Sequence, residues 1–458
     1  MNKKVLFALS ECRPFIASGG LADVGGSLPQ ALTRQGVHVG VVMPLYRKIK
    51  QTYGDRLTLV SAQVVKLDWR NQQIQLYTLN QDSIDYYFVD CDRYYDRDNL
   101  YGYDDDIERF AFFCNAVCEL LAEQYDIVHC HDWQTACIPS LLKYKAINRP
   151  TILTIHNIEY QGTFDRTHLQ DLTGLPNIYN GVFEWNWQCN LLKGGIVHCD
   201  KLTTVSHGYA MQILTAEYGA GLEKIIQANK YKLSGILNGI DTTLYNASTD
   251  NQIIANFDST SLANKQLCKA ELQRMMGLEQ CDKPLFAMVT RLAHHKGLDL
   301  VEQVLPDFLH NNVQFVLLGT GDNHYEDFFS RLSASRENLS VKIAFDNGIA
   351  KSIYAGADFF VMPSKSEPCG LAQMISCAYA TLPIVRNVGG LGDSIDNSYG
   401  IVFDNYDKQG LEWALYQALM LYSQKSRLAL MRSRAIKHDF SWEGSAKQYI
   451  DLYNSLNC

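Results

Sequence analysis

The sequence predicts an α/β protein of two Rossmann-like domains whose parallel sheets face each other across a deep interdomain cleft. Three features lead there. Strand-like apolar runs alternate with helical patterns through both halves, the order that βαβ units produce. Those runs are almost continuously apolar, as in sheets covered on both faces. A short pattern also repeats: Gly19-Gly20-Leu21-Ala22-Asp23 and Gly389-Gly390-Leu391-Gly392-Asp393 both read GGLxD, each after a strand and before a helix. Alone, the repeat fits plain helix-start chemistry, with glycine for the turn and aspartate as a cap. Beside two βαβ halves it points to two facing domains, with ligands outside the carboxyl ends of their strands.

The chain opens "MNKKVLFALSEC", which imitates a secretory leader, but Glu11 and Arg13 end the apolar stretch early, so it reads as the first strand. "RPFIASGG" and the helix beginning at GGLAD follow, a place where α/β proteins bind phosphates, although Ala17-Ser18 offers no cation. Further strands are "VHVGVVM", "IDYYFVD", "DIVHC", "TILTIHN" and "KLTTVS". Between two of them, residues 108–124 set Phe110, Phe113, Val117, Leu120 and Leu121 on one helical stripe. Asn-Gly turn chemistry in "SGILNGIDTTLYN" (Ser234–Asn246) marks a hinge. The second half offers "PLFAMVTRL", "VQFVLLG", "VKIAF", "DFFVMP" and "LPIVRN". The expected domains are 1–240, 241–438, and a final helix over 439–458 that returns to the N-terminal domain.

Bulk properties narrow the function. The 458 residues are 47% hydrophobic and 20% charged, which supports a large core and excludes disorder. A net charge of −8 argues against a nucleic-acid footprint, so an anionic ligand needs local cations. No apolar run reaches the roughly 18 residues of a membrane span. The 13 cysteines are odd in number and lack a C-x-x-C pair, which points to reduced thiols and a cytoplasmic protein. "HCHDW" (His129–Trp133) has no second pair at zinc spacing, so a structural or sugar-facing role is expected and no metal.

Candidate chemistry sits at strand ends. Arg291 and Lys296, in "VTRLAHHKGLDL", suit a diphosphate: Arg as a fork, Lys as a point charge. Glu367, in "MPSKSEPCGLAQ", can accept sugar hydroxyls or stabilise charge at an anomeric carbon. The amides of Cys369, Gly370 and Leu371 after it can open a helix onto a ligand. His156 and Asn157 end "TILTIHN". "GTGDNH" (Gly319–His324) lacks the third glycine of a dinucleotide loop, and neither a Walker lysine nor a G-x-S-x-G elbow is present. The residues alone reach a two-domain enzyme closing over a diphosphate ligand such as a nucleotide-sugar.

"GGLADVGGSLPQAL", "LYGYDDDIERFAFF", "HCHDWQTA", "TIHNIEYQG", "LLKGGIVHCDKLTTVS", "GILNGIDTTLYNASTD", "TRLAHHKGLDL", "AGADFFVMPSKSEPCGLAQ" and "PIVRNVGGLGDS", in this order, resemble the bacterial glycogen synthase and plant starch synthase family. The resemblance covers nearly the whole chain. It implies a retaining glucosyltransferase of GT-B architecture that moves glucose from ADP-glucose to the non-reducing end of an α-1,4-glucan, with no metal or cofactor. By position it gives Arg291 and Lys296 the diphosphate, Glu367 the glucosyl ring, and His156 a place beside the sugar. Asp23, Asp132 and Asn238 match positions linked to donor binding or activity. Gly20, Gly389 and Gly390, with Gly370 and Leu371, bring backbone to the substrate. The chain departs from the family pattern at Ala17-Ser18, where the family loop reads K-T-G-G-L, at His294-His295 and at Asn387-Val388. The first departure keeps open UDP-glucose as donor, or a glucan-binding protein with little turnover.

Overall fold

The computed structural model describes residues 3–456, which form two compact units. One runs through Asn238 and takes up the chain again at Trp442; the other is Gly239–Ser441. Residues 439–441 stay with the second unit because the Ile240 amide donates to the Phe440 carbonyl at 2.8 Å and Ile240 bridges Ser441.

The first unit is built on β1 (Lys4–Ala8), β2 (His38–Pro44), β3 (Thr58–Leu67), β4 (Arg70–Gln81), β5 (Ile84–Asp90), β6 (Ile127–His131) and β7 (Thr151–Ile155). β8 (Thr163–Asp165), β9 (Glu184–Trp185), β10 (Gln188–Asn190), β11 (Lys201–Thr204) and β12 (Leu233–Gly235) follow. The main sheet has nine strands in the order β12-β11-β7-β6-β1-β2-β5-β4-β3. It is parallel except that β4 runs antiparallel to both β3 and β5. β8, β10 and β9 make a separate antiparallel sheet. The central strands are buried along nearly their whole length, which is what their continuous Val, Ile and Leu runs encode.

The helix expected over 108–124 is Asp106–Leu120, followed by a 3₁₀ turn at Ala122–Gln124. It is buried around most of its circumference, since Ala111, Phe112, Asn115 and Ala116 are covered along with the expected Phe110, Phe113 and Val117. A helix apolar on all sides is a core helix. The terminal helix Trp442–Asn454 packs on the helix Gly20–Arg34. Its residues Tyr449 and Tyr453 lie against His129 of β6, and Tyr453 Oη meets His129 Nδ1 at 3.0 Å.

The second unit carries β13 (Leu285–Val289), β14 (Gln314–Gly319), β15 (Leu339–Ile343), β16 (Phe359–Met362), β17 (Leu382–Arg386) and β18 (Ile401–Phe403). They form one fully parallel sheet in the order β15-β14-β13-β16-β17-β18. Strand order reverses direction at β13, so the loops leaving β13, β16 and β17 emerge side by side at one edge of the sheet, where α/β proteins hold ligands.

Candidate active site

In the second unit the chain leaves β13 and exposes Arg291, whose guanidinium has no partner among the described residues. A short 3₁₀ turn, His294–Lys296, then ends at Gly297 with φ 76°. A Cβ there would stand 2.1 Å from the Pro363 carbonyl oxygen, so the loop from β13 lies directly on the loop from β16. The Lys365 amide donates to the His295 carbonyl at 2.9 Å. This seam sets Lys296 Nζ against both carboxylate oxygens of Glu367, at 2.9 and 2.7 Å, while Ser364 Oγ donates to Oε2 at 3.1 Å. Glu367 is buried, so the lysine compensates a carboxylate that would otherwise lie uncovered in a poor solvent. The two cations thus have different duties: Lys296 is committed to Glu367 and Arg291 is open.

The glycines of this half answer to packing. Gly370 has φ 72° and a Cβ would strike Gln373 Oε1 at 2.6 Å. Gly389 has φ 47°. A Cβ on Gly390 would fall 2.4 Å from Cys369 Cα and carbonyl oxygen, and the Gly390 amide donates to the Glu367 carbonyl at 3.1 Å. Leu371 flanks a helix of seven residues, Ala372–Ala378, whose Gln373 amide returns to the Cys369 and Gly370 carbonyls. "GTGDNH" is also explained from within: Cβ atoms at Gly319 and Gly321 would meet the Thr290 and Leu292 carbonyls at 1.9 and 2.3 Å. Asp322 caps the next helix by accepting from the His324 amide.

In the first unit the glycine loop already closes on a carboxyl group, that of Glu11. Glu11 is buried at the end of the first strand's extension, and the amides of Ser18 and Gly19 face its carboxylate. Burial raises its pKa, and the two amides pull the other way. Gly19 is extended at φ −158°, and beside Gly20 a Cβ would meet nothing within 4 Å, so the helix start is open there. Asp23 does not cap this helix, contrary to the helix-start expectation: it lies inside the first turn and takes Arg13 Nε at 2.6 Å.

Asp132 and His156 come together at the exits of β6 and β7. Asp132 has φ 56°, and its Oδ1 accepts the His156 amide at 2.7 Å and the Asn157 amide at 3.5 Å. Burial pushes its carboxyl up to about 7. His156 Nε2 meets His131 Nδ1 at 2.9 Å, and burial holds His156 down at about 3, so it is a neutral imidazole. His129 spends both ring nitrogens on Tyr453 Oη and Thr154 Oγ1, which makes it structural. Asn238, last residue of this unit before the chain crosses over, is buried, and its Oδ1 has no partner among the described residues. Arg291, Lys296, Glu367, Gly370, Leu371, Gly389 and Gly390 therefore gather in one unit, and Gly20, Asp23, Asp132, His156 and Asn238 belong to the other.

Two residues of these sites escaped the sequence reading. Glu11 was visible as a carboxylate between an apolar strand and a glycine loop, yet it read only as the end of the strand. His131 sat inside "HCHDW", where the spacing of two residues from His129 puts both on one face of β6, but nothing in the string pairs it with His156 twenty-five residues later.

Two family models match the chain: "Starch synthase catalytic domain" over residues 4–228 and "Glycosyl transferases group 1" over 271–435. A glycogen synthase of Desulforamulus reducens is 44% identical over 475 residues, covering 99% of this chain and 98% of the relative. That of Geobacillus stearothermophilus is 42% identical, with the same coverage of each. Among solved structures, the catalytic domain of starch synthase IV from Arabidopsis thaliana, bound to ADP and acarbose, superposes with a TM-score of 0.90 at 31% identity over 99% of both chains. A sucrose-phosphate synthase of Thermosynechococcus elongatus shares the fold, with a TM-score of 0.62 at 16% identity over 99% of this chain and 98% of its own.

Proposed function

The chain belongs to the glycogen and starch synthase family, and on that premise we propose that it transfers glucose from ADP-glucose to the non-reducing end of an α-1,4-glucan with retention of configuration. The observation that carries the reading is the Lys296–Glu367 pair at the exits of adjacent strands, with Arg291, whose guanidinium has no partner among the described residues, five residues before it. A nucleotide diphosphate is the ligand such cations suit, Arg291 by forked hydrogen bonds and Lys296 by charge. The reaction breaks the bond from the anomeric carbon to the diphosphate and forms one to the glucan's 4-oxygen. The hydroxyl proton passes to the departing diphosphate, so no protein base is required. Glu367 holds Lys296 where negative charge develops on that diphosphate, and its engagement with the lysine disfavours a covalent glycosyl-enzyme. His156 and Asp132 serve the sugar from the other unit, with Asn238, Asp23 and Gly20 contributing to donor binding.

The donor and the glucan are the partners this reading requires, and it requires neither a metal nor a cofactor. We assign the enzyme to the cytoplasm; its described cysteines, all free and all but Cys281 buried, support a reducing compartment. Among the described residues no helix is long and apolar enough to cross a membrane. The test offers radiolabelled ADP-glucose and UDP-glucose separately with glycogen, with and without a chelator. Incorporation from ADP-glucose, unchanged by the chelator, is expected. Incorporation from UDP-glucose alone would overturn the donor, and glycogen binding without ADP release would overturn the activity.

A further inference from the structure

His131 is a buried side chain with no part in the reaction as described. It lies on β6, stacked against His129 at 4.3 Å and Phe7 at 5.2 Å between ring centroids. Its backbone is pinned as well, because its amide donates to Thr135 Oγ1 at 2.6 Å and its carbonyl accepts from the same hydroxyl at 2.8 Å. The ring is thus packed against two aromatic neighbours on a backbone that is itself tied down. Its Nδ1 stands 2.9 Å from His156 Nε2, and its Nε2 is buried without a partner among the described residues. All three imidazoles are neutral because burial disfavours the cation, so each carries one proton.

Two arrangements satisfy the His131–His156 contact. In one, His131 Nδ1–H donates to His156 Nε2, and the atom left over is a bare ring nitrogen. In the other, His156 Nε2–H donates to His131 Nδ1, and His131 keeps its proton as a buried N–H with nothing to receive it. Orphaned buried N–H groups are the rarer and costlier kind. We infer that His131 is a positioning residue that fixes the proton of His156 on Nδ1, so that the atom His156 offers to the sugar is a hydrogen-bond donor. Nδ1 of His156 has no partner among the described residues and is not one of the buried orphan atoms, so it is the ring nitrogen open to a ligand. The phenyl ring of Phe7 and the clamp on Thr135 hold His131 in place, and through it the Nε2 side of His156.

The inference rests on the reading that His156 faces the sugar, and the experiment separates the two. Histidine ring ¹⁵N NMR on the full chain distinguishes protonated from bare nitrogens, with the His156 signals identified by their loss in His156→Gln. The expected spectrum has His156 protonated at Nδ1. In His131→Leu the proton redistributes toward Nε2, and kcat/KM for ADP-glucose falls about 3- to 10-fold, the worth of one neutral hydrogen bond. His131→Asn, whose amide N–H reaches the place of Nδ1, restores both the spectrum and the rate. His156 protonated at Nε2 in the unmodified protein overturns the inference, a result that needs no variant to fold. An unchanged His156 signal in His131→Leu, or failure of His131→Asn to restore it, also overturns it. Full activity of His156→Gln overturns instead the reading that His156 serves the sugar, and leaves the spectrum to judge the proton's position.

Discussion

The two GGL turns are the same string in two physical situations. At Gly19-Gly20 the second glycine looks into open space, and the loop amides close on the carboxylate of Glu11. At Gly389-Gly390 the second glycine is wedged against the Cys369 backbone, and its amide is spent on the Glu367 carbonyl. Each turn is thus tied to a glutamate, but only one of those glutamates has a cation: Lys296 sits on Glu367, whereas Glu11 has no lysine or arginine partner among the described residues. The lesson is that a glycine pair at a strand exit does not by itself say whether backbone approaches a ligand or approaches more protein. The C-terminal turn needs its glycine to close the fold, whereas packing asks nothing of Gly20 in the N-terminal turn.

Substitutions on both sides test that contrast. Lys296→Ala removes the cation from the balanced turn and leaves the buried Glu367 with Ser364 Oγ but no countercharge. Glucose transfer from ADP-glucose should fall roughly 30- to 1,000-fold, equal to about 2–4 kcal/mol of transition-state stabilisation. A variant with undiminished kcat would remove the proposed mechanism. Ala17→Lys supplies the unbalanced turn with the charge the family carries there. It should lower KM for ADP-glucose by about 10-fold or more, one charge-assisted hydrogen bond being worth roughly 1.5–3 kcal/mol. Thermal unfolding should barely move, since Ala17 is exposed. If Glu11 captures the new ammonium, KM stays put, and Glu11→Gln in the same chain should then release the gain.

Alanine at the second glycine of each turn separates packing from ligand contact. Gly390→Ala forces a methyl into Cys369 and should cost about 1–3 kcal/mol, seen as a Tm lower by several degrees. Gly20→Ala meets nothing and should leave Tm within about 1–2 °C while raising KM for ADP-glucose. Equal losses of Tm in the two variants would erase the difference between the two turns.

The smallest effect is electrostatic. Asp132 has a folded pKa of about 7, above its unfolded value, so the native state binds the proton more tightly. That group's contribution to stability is present at low pH and lost as pH rises from about 4 to about 7. His129 and His156, held at about 3, act in the opposite sense: their contribution is present above the unfolded histidine value and lost as pH falls below it. Asp132→Asn removes only the first influence and keeps the acceptor for the His156 amide. Its Tm should therefore gain on the parent between pH 5 and pH 8; parallel Tm profiles would show that Asp132 does not titrate in that range.

The parallel core was legible because a strand covered on both faces has no choice of residue: "KVLFA", "VHVGVVM" and "DFFVM" admit little else. β3 and β4 were not, because that antiparallel hairpin shows one side to water and mixes Gln63, Gln72 and Gln75 among its apolar residues. The turn at Asp68, with φ 51°, was the available signal. Arg291, Lys296 and Glu367 could be picked out because charge directly after an apolar strand is conspicuous. That Lys296 and Glu367 touch could not be read, since 71 residues separate them and only the adjacency of β13 and β16 brings them together. Glu11 was hidden by its own burial: a carboxylate taken in by backbone amides looks, in the string, like the point where an apolar run stops.

The helix Trp442–Asn454 adds a matter of timing. During synthesis β6 emerges early, but the hydroxyl that His129 Nδ1 meets belongs to Tyr453, 324 residues further on. At roughly 5–20 residues per second the ribosome takes about 16–65 s to make that stretch. Throughout that interval the histidine face of β6 exists without its helix, while the whole of Gly239–Ser441 is produced and can fold. The first sheet to be translated is thus among the last parts of the protein to be finished, and a nascent chain halted inside the second unit carries an uncovered aromatic and histidine surface for chaperones to find.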